Sequence, residues 1–335
     1  MDRLSPSTTT RRTRVEPEGA VGVDADPQAP SRLAVTMRQA IAWMVLDFRM
    51  TRTPLLFIAA ALLEATALAG AARAQAYLPE DNLAYPVQVV VAGGGGTGFF
   101  VRRERELFLV TARHVLFDVL TGRLRASELT LRALSKDVHE RAVTVIHVNA
   151  AQLEEAKQIR ADEPRDVAVV RLATMRPDGL NTTPGVVVTE KAKGAIVVAP
   201  FEYLTRYGDV DISSQIFMFG YPSVGMAGSS QIDHTRPLVR GGIVAGLNPE
   251  LKTIIIDAPV NHGNSGGPVV QLSRTNRLRI IGIATQFVPV PEDVLPLKPE
   301  DTPSPGPSRT MLALGNSGYG VVASADSIIE LISGF

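Results

Sequence analysis

One string of this sequence concentrates residues that could do covalent chemistry: Asp257-Ala-Pro-Val-Asn-His-Gly-Asn-Ser265-Gly-Gly-Pro268. Glycines on both sides of Ser265 permit a tight backbone turn that exposes the hydroxyl and aims successive N–H groups at one point. That arrangement suits an acyl-transfer nucleophile beside an oxyanion hole, although G-x-S-G-G also occurs in ordinary glycine loops. A serine hydroxyl attacks poorly until a base takes its proton, and imidazole titrates near neutrality. Leu109-Val-Thr-Ala-Arg-His114-Val sets a histidine just after an apolar strand. The alternative for such a residue is a structural histidine, and His139, His147, His234 and His262 are read that way, none having metal-ligand spacing. Arg165-Asp166-Val-Ala-Val-Val-Arg-Leu172 puts an acid at the mouth of a buried strand, where a carboxylate could hold the imidazole tautomer. Taken alone, Asp166 reads more readily as a strand-edge cap, since such acids are common.

Positioning three groups so far apart in sequence requires a framework, and the pattern around them is β. Short β-branched or aromatic runs at 85–92, 98–102, 107–112, 129–134, 142–148 and 167–172 form one series. Runs at 195–201, 215–221, 238–247, 253–258, 269–272, 280–287 and 319–323 form another. Between them, 173–194 carries prolines, glycines and few large apolar residues and reads as a linker. Helices are expected only over 150–160 and 324–332. Seven prolines fall among the nineteen residues 289–307, so that stretch cannot donate a ladder of backbone hydrogen bonds and reads as a loop, extending over 288–312 in all. The fold class expected is all-β, with a first barrel over 77–180 and a second over 181–335.

Composition narrows the chemistry. The 335 residues contain no cysteine, which removes a disulfide framework, a thiolate metal site and a cysteine nucleophile together. Lysine plus arginine equal aspartate plus glutamate at 34 each, so no global field attracts a nucleic acid, and none is expected as a partner. No cofactor and no metal is implied.

The amino-terminal part reads as an address. Residues 1–35 have almost nothing apolar to offset the entropy of ordering, so 1–49 reads as a disordered extension, and the sequence fits translation starting at Met50. From there a basic start, an apolar run over 55–72 and small residues up to Ala76 match a signal peptide over 50–76. The alternative is an uncleaved anchor, which would make the membrane a partner; Glu64 in mid-run would cost about 2–3 kcal/mol at the bilayer centre. Either reading exports the remainder, to the periplasm or the cell exterior.

The order histidine, aspartate, serine distinguishes one triad type from others that use the same groups in other orders. Together the three strings resemble the chymotrypsin-like serine peptidases, and above all the bacterial HtrA-type branch, whose nucleophile region looks like D-A-x-x-N-x-G-N-S-G-G. The likeness runs from about 85 to 332 and takes in Phe219-Gly-Tyr-Pro222, Arg240-Gly-Gly-Ile-Val-Ala245 and Gly318-Tyr-Gly-Val-Val. Members of that branch commonly carry carboxy-terminal PDZ modules, which are not expected here.

The resemblance implies a double six-stranded β-barrel with a carboxy-terminal helix and the cleft between the barrels. It implies His114 as base, Asp166 as its orienter and Ser265 as nucleophile, with the N–H groups of Gly263 and Ser265 as the oxyanion hole. It also implies a primary specificity pocket with Pro259, six residues before the serine, at its floor and Thr285, Gln286 and Phe287 along its wall. No acid stands at those positions to pair a buried cation, so small or medium apolar residues are expected on the acyl side of the cut. The substrate would be a peptide or protein; oligomeric state is not legible. A catalytically silent binding scaffold and an esterase using the same chemistry stand as alternatives.

Overall fold

Alternation of apolar and polar residues organises the strands, because successive side chains of a strand point to opposite faces. In β1 (Pro86–Val91), Val87, Val89 and Val91 are buried while Gln88 and Val90 turn outward. The computed structural model describes residues 78, 83–137, 139–177, 179–222, 231–273, 277–292 and 313–335. The chain divides into units Met1–Gln75 and Ala76–Phe335, and every described residue belongs to the second. The expected extension over 1–49 and the whole of the expected signal or anchor over 50–76 lie outside the described residues. Among the described residues, no helix is long and apolar enough to cross a membrane.

After β1 come β2 (Gly94–Arg103), β3 (Glu106–Ala112), the one-turn helix α1 (Arg113–Leu116), β4 (Glu128–Leu134) and β5 (Val143–Asn149). Then follow α2 (Ala150–Glu155), β6 (Ile159–Asp162), β7 (Val167–Arg176), β8 (Gly179–Thr182), β9 (Val186–Glu190) and β10 (Ala199–Pro200). These ten strands form one curled sheet in the order β6-β7-β3-β2-β1-β4-β5-β9, with β8 added to β7 and β10 to β2. The second sheet contains β11 (Gln215–Gly220), β12 (Leu238–Asn248), β13 (Thr253–Asp257), β14 (Pro268–Leu272), β15 (Leu278–Glu292) and β16 (Ala313–Ser324). It closes into a six-stranded barrel, β11-β12-β13-β16-β15-β14. The chain ends in α3 (Ala325–Ser333). The all-β double-barrel class with a carboxy-terminal helix is therefore the fold observed.

Several expectations need correction. The first sheet has ten strands, not six, because the stretch read as a linker over 173–194 is structured. The end of β7, then β8 and β9, occupy it, and β9 pairs with β5 through Val148↔Val186. Its prolines and glycines mark the turns between these short edge strands rather than a break between barrels. The first sheet also takes β10, parallel to β2 at Ala199↔Val101, so it extends past the expected break at 180/181. The helix expected over 150–160 ends early. Asn149 caps its start by accepting from the Gln152 N–H at 2.9 Å, and the chain then enters β6.

The proline-rich stretch differs at its near end. Pro289, Val290, Pro291 and Glu292 pair with Asn316, Gly315, Leu314 and Ala313, so β15 runs through the first two prolines. Past Ile283, β15 has no partner on the β14 side among the described residues, so there it stands at an edge of the described sheet. A ladder tolerates prolines two residues apart on such an edge when their nitrogens face outward, where no hydrogen bond is needed. The rest of the expected loop, 293–312, lies outside the described residues.

The largest apolar core joins both sheets: Phe99, Phe108 and Leu109 of the first share it with Phe219, Val270 and Ile283 of the second and with Ile328 and Ile332 of α3. A separate core fills the barrel interior around Ile216, Met218, Ile254 and Ile256.

Candidate functional site

His114 is delivered by α1, which starts as soon as β3 ends. The turn before β7 meets it. The Arg113 N–H donates to the Asp166 carbonyl at 3.0 Å and the His114 N–H to Asp166 Oδ1 at 2.9 Å. With the histidine backbone thus docked, its ring Nδ1 lies 2.6 Å from Asp166 Oδ2. Asp166 has φ of +57°, a left-handed conformation that aspartate tolerates better than most side chains. The turn is held from outside as well: Arg165 pairs with Asp162 and with Glu330 of α3, and Ser327 Oγ donates to Asp162 Oδ2 at 2.7 Å. Glu330, with help from Asp162, raises the Arg165 pKa above its ordinary value.

Ser265 sits in a loop whose shape is set by its glycines. Gly263 and Gly266 have φ of +90° and +85°. A Cβ on Gly266 would lie 2.1 Å from the Thr97 carbonyl oxygen, and one on Gly267 would lie 2.1 Å from that of Phe219. The loop is therefore pressed directly against the backbone of β2 and β11, which only glycine allows. Internal bonds complete it: Asn264 N–H to Asn261 carbonyl at 3.0 Å, Asn261 N–H to Asn264 Oδ1 at 3.0 Å, and Gly267 N–H to Asn264 carbonyl at 2.8 Å. The Gly266 N–H donates to Ala284 at 2.7 Å, joining the loop to β15. Among the described residues, the Gly263 and Ser265 N–H groups have no acceptor. The Ser265 hydroxyl donates to the Thr285 carbonyl at 3.3 Å.

These groups share one open cleft of about 530 Å³, lined by Arg113, His114, Val119, Glu163 and Asp166 on one side. Val260, Asn261, His262, Ser265, Thr285, Gln286 and Phe287 line the other. His114, Asp166, Ser265, Thr285, Gln286 and Phe287 thus line the same cleft. Pro259 is not among the lining residues. Along 254–260 burial alternates, with Ile254, Ile256, Ala258 and Val260 buried and Asp257 exposed, so strand period places Pro259 on the outward-facing side. Val260 takes the inner position, accommodated because residue 320 is glycine: a Cβ there would stand 2.4 Å from Val260 Cγ2. Asn316 Nδ2 fixes the segment by donating to the Val260 carbonyl at 2.7 Å. The same alternation removes Asp257 from the cleft.

His262 departs from its reading as a structural histidine. It is exposed, lines the cleft and meets the Phe287 ring edge-on at a centroid distance of 6.1 Å. His147 and His234 lie on the surface, the former 3.2 Å from Thr130 Oγ1. Asn316 and Thr97 were not singled out from the sequence. Neither sits in a motif of chemical groups, and only the pairing of distant strands shows what they hold.

A family model described as the trypsin-like peptidase domain matches residues 96–283. No curated protein matches the chain. Among solved structures, Deg5 is 18% identical, covering 62% of this chain and 81% of that one at a TM-score of 0.38. The HtrA-type protease AlgW with a tripeptide is 16% identical, covering 76% of this chain and 62% of that one at a TM-score of 0.42. Human heparin binding protein is 11% identical, covering 78% and 94% at a TM-score of 0.45.

Proposed function

Because the chain belongs to the trypsin-like peptidase family, we propose that it is an exported serine endopeptidase working through His114, Asp166 and Ser265. The observation that carries this is the 2.6 Å bond from Asp166 Oδ2 to His114 Nδ1, made in the cleft that Ser265 also lines. With Nδ1 so engaged, Nε2 of the neutral ring is the free lone pair. The Ser265 hydroxyl turns from the Thr285 carbonyl to His114, gives up its proton to Nε2 and attacks the scissile carbonyl carbon. The carbonyl oxygen takes the electron pair and is stabilised by the N–H groups of Gly263 and Ser265, which have no acceptor among the described residues. Imidazolium then protonates the leaving amine, and water repeats the sequence on the acyl-enzyme.

Val260 and Phe287 give the cleft an apolar lining beside Ser265, while the acids Glu163 and Asp166 lie on the histidine side. Cleavage after small or medium apolar residues fits that division, since a buried lysine or arginine would find no partner on the serine side. Export rests on the pattern over 50–76, and a mature amino terminus at residue 77, read by mass spectrometry, is the outcome expected.

The test is a fluorophosphonate label followed by a peptide-library digest. The parent should be labelled at Ser265 and cut after apolar residues; Ser265→Ala should lose both, with activity down by roughly a millionfold and the fold unchanged. The scaffold reading draws on the Ser265 bond to Thr285, which leaves the hydroxyl unactivated in this arrangement. An unlabelled parent would favour that reading. Cuts mainly after lysine or arginine would refute the pocket.

A further inference from the structure

Thr97, in the middle of β2, is fully buried and uses every polar atom it has. Its hydroxyl donates to the Gly263 carbonyl at 2.6 Å and accepts from the Tyr221 N–H at 3.0 Å. Its own N–H donates to the Ser265 carbonyl at 2.8 Å, and its carbonyl accepts from Thr111 Oγ1 at 2.7 Å. The two residues whose carbonyls Thr97 holds are the two whose N–H groups are the proposed oxyanion donors. We propose that Thr97 is a positioning residue for the oxyanion hole, a latch from the first sheet that locks the donor loop of the second.

A glycine with φ of +90° has little intrinsic resistance to turning its peptide planes, and Gly263 is such a residue. Tying its carbonyl to a buried hydroxyl fixes the 263–264 peptide plane and tying the Ser265 carbonyl fixes the 265–266 plane, so the plane that carries the Ser265 N–H is held from both sides and the plane that carries the Gly263 N–H from the side that follows it. Rotation would also strand the Gly263 carbonyl and the Thr97 hydroxyl hydrogen in a dry interior, at the cost of an unmade buried bond. Pre-set donors are what make an oxyanion hole effective, because no reorganisation is then needed at the moment charge develops. The close approach of Gly266 to the Thr97 carbonyl leaves no room for the loop to shift toward β2. Valine at 97 has nearly the shape of threonine and lacks the hydroxyl, whereas serine keeps it.

This inference rests on the proposed serine chemistry, and two measurements on the full chain separate them. In Thr97→Val, fluorophosphonate labelling of Ser265 should slow by about tenfold or more, and kcat on a peptide cut by the parent should fall with KM little changed. Thr97→Ser should stay within about threefold of the parent on both counts. Hydrogen exchange read on the segment 263–267 should speed up in Thr97→Val and not in Thr97→Ser. A folded Thr97→Val with parental labelling and parental exchange overturns the latch. If Thr97→Val does not fold, Thr97→Ser carries the test, and a tenfold loss of labelling in it is the overturning result. If the parent is not labelled, the serine-peptidase reading fails, while the exchange comparison still decides whether Thr97 holds the loop.

Discussion

Asp166 makes two different bonds to one residue, and they separate geometry from charge. Its Oδ1 accepts from the His114 backbone N–H and its Oδ2 from ring Nδ1. In Asp166→Asn the amide oxygen can still accept from the backbone N–H, so the turn should hold and the melting temperature should move little. The amide NH₂ would then face Nδ1 and, being a donor, would favour the tautomer whose Nε2 carries hydrogen and cannot take the serine proton. The expected outcome is a fall in kcat of about 10⁴ near neutral pH, measured on any peptide the parent cuts. An unchanged rate would move the third role to another acid, with Glu163 the other acid that lines the cleft. At this scale the proposed triad stood out in the sequence because its members are chemically unusual residues in glycine-rich or strand-end settings. Val260 and His262 were not. One depends on which face of a strand a residue occupies, and the other on an aromatic neighbour twenty-five positions away in sequence, Phe287.

The carboxy-terminal helix shows how an element distant from the cleft supports it. Ile328 and Ile332 are fully buried in the core shared with β3 and β7, and Glu330 and Ser327 reach the turn that carries Asp166. Ile332→Ala should therefore cost about 2–5 kcal/mol in urea unfolding, the range for truncating a buried isoleucine, while activity measured well below the transition is kept. A loss under about 1 kcal/mol would mean the helix packs loosely and cannot brace the turn. The helix was readable from its apolar spacing, as were the strands with long β-branched runs. The short strands β6, β8 and β9 were not, because four- and five-residue edge strands with exposed faces carry almost no period. Pro289 and Pro291 misled for the converse reason: proline excludes a strand interior but not an outward-facing position on an edge.

For the molecule as a whole, the decisive feature is that the largest core is shared between the two sheets. The second barrel keeps a small core of its own, yet Phe219 of β11, Val270 of β14, Ile280 and Ile283 of β15 and Ala323 of β16 pack into the core of the first sheet. Thr97 adds buried hydrogen bonds across the same boundary. Two barrels were legible in the sequence as two series of strands; their shared core was not, because it is made of contacts between the series rather than within either. Opening one sheet alone would expose those large apolar residues, so the free energy of partial unfolding should approach that of complete unfolding. Native-state hydrogen exchange tests this. The slowest amides of β3, such as that of Leu109, and those of β13, such as that of Ile254, should report the same opening free energy and the same urea dependence. Two distinct values, with the second barrel opening first, would show that its own core suffices to define an independent unit. The cleft would then be a hinge between two folding units rather than a seam within one.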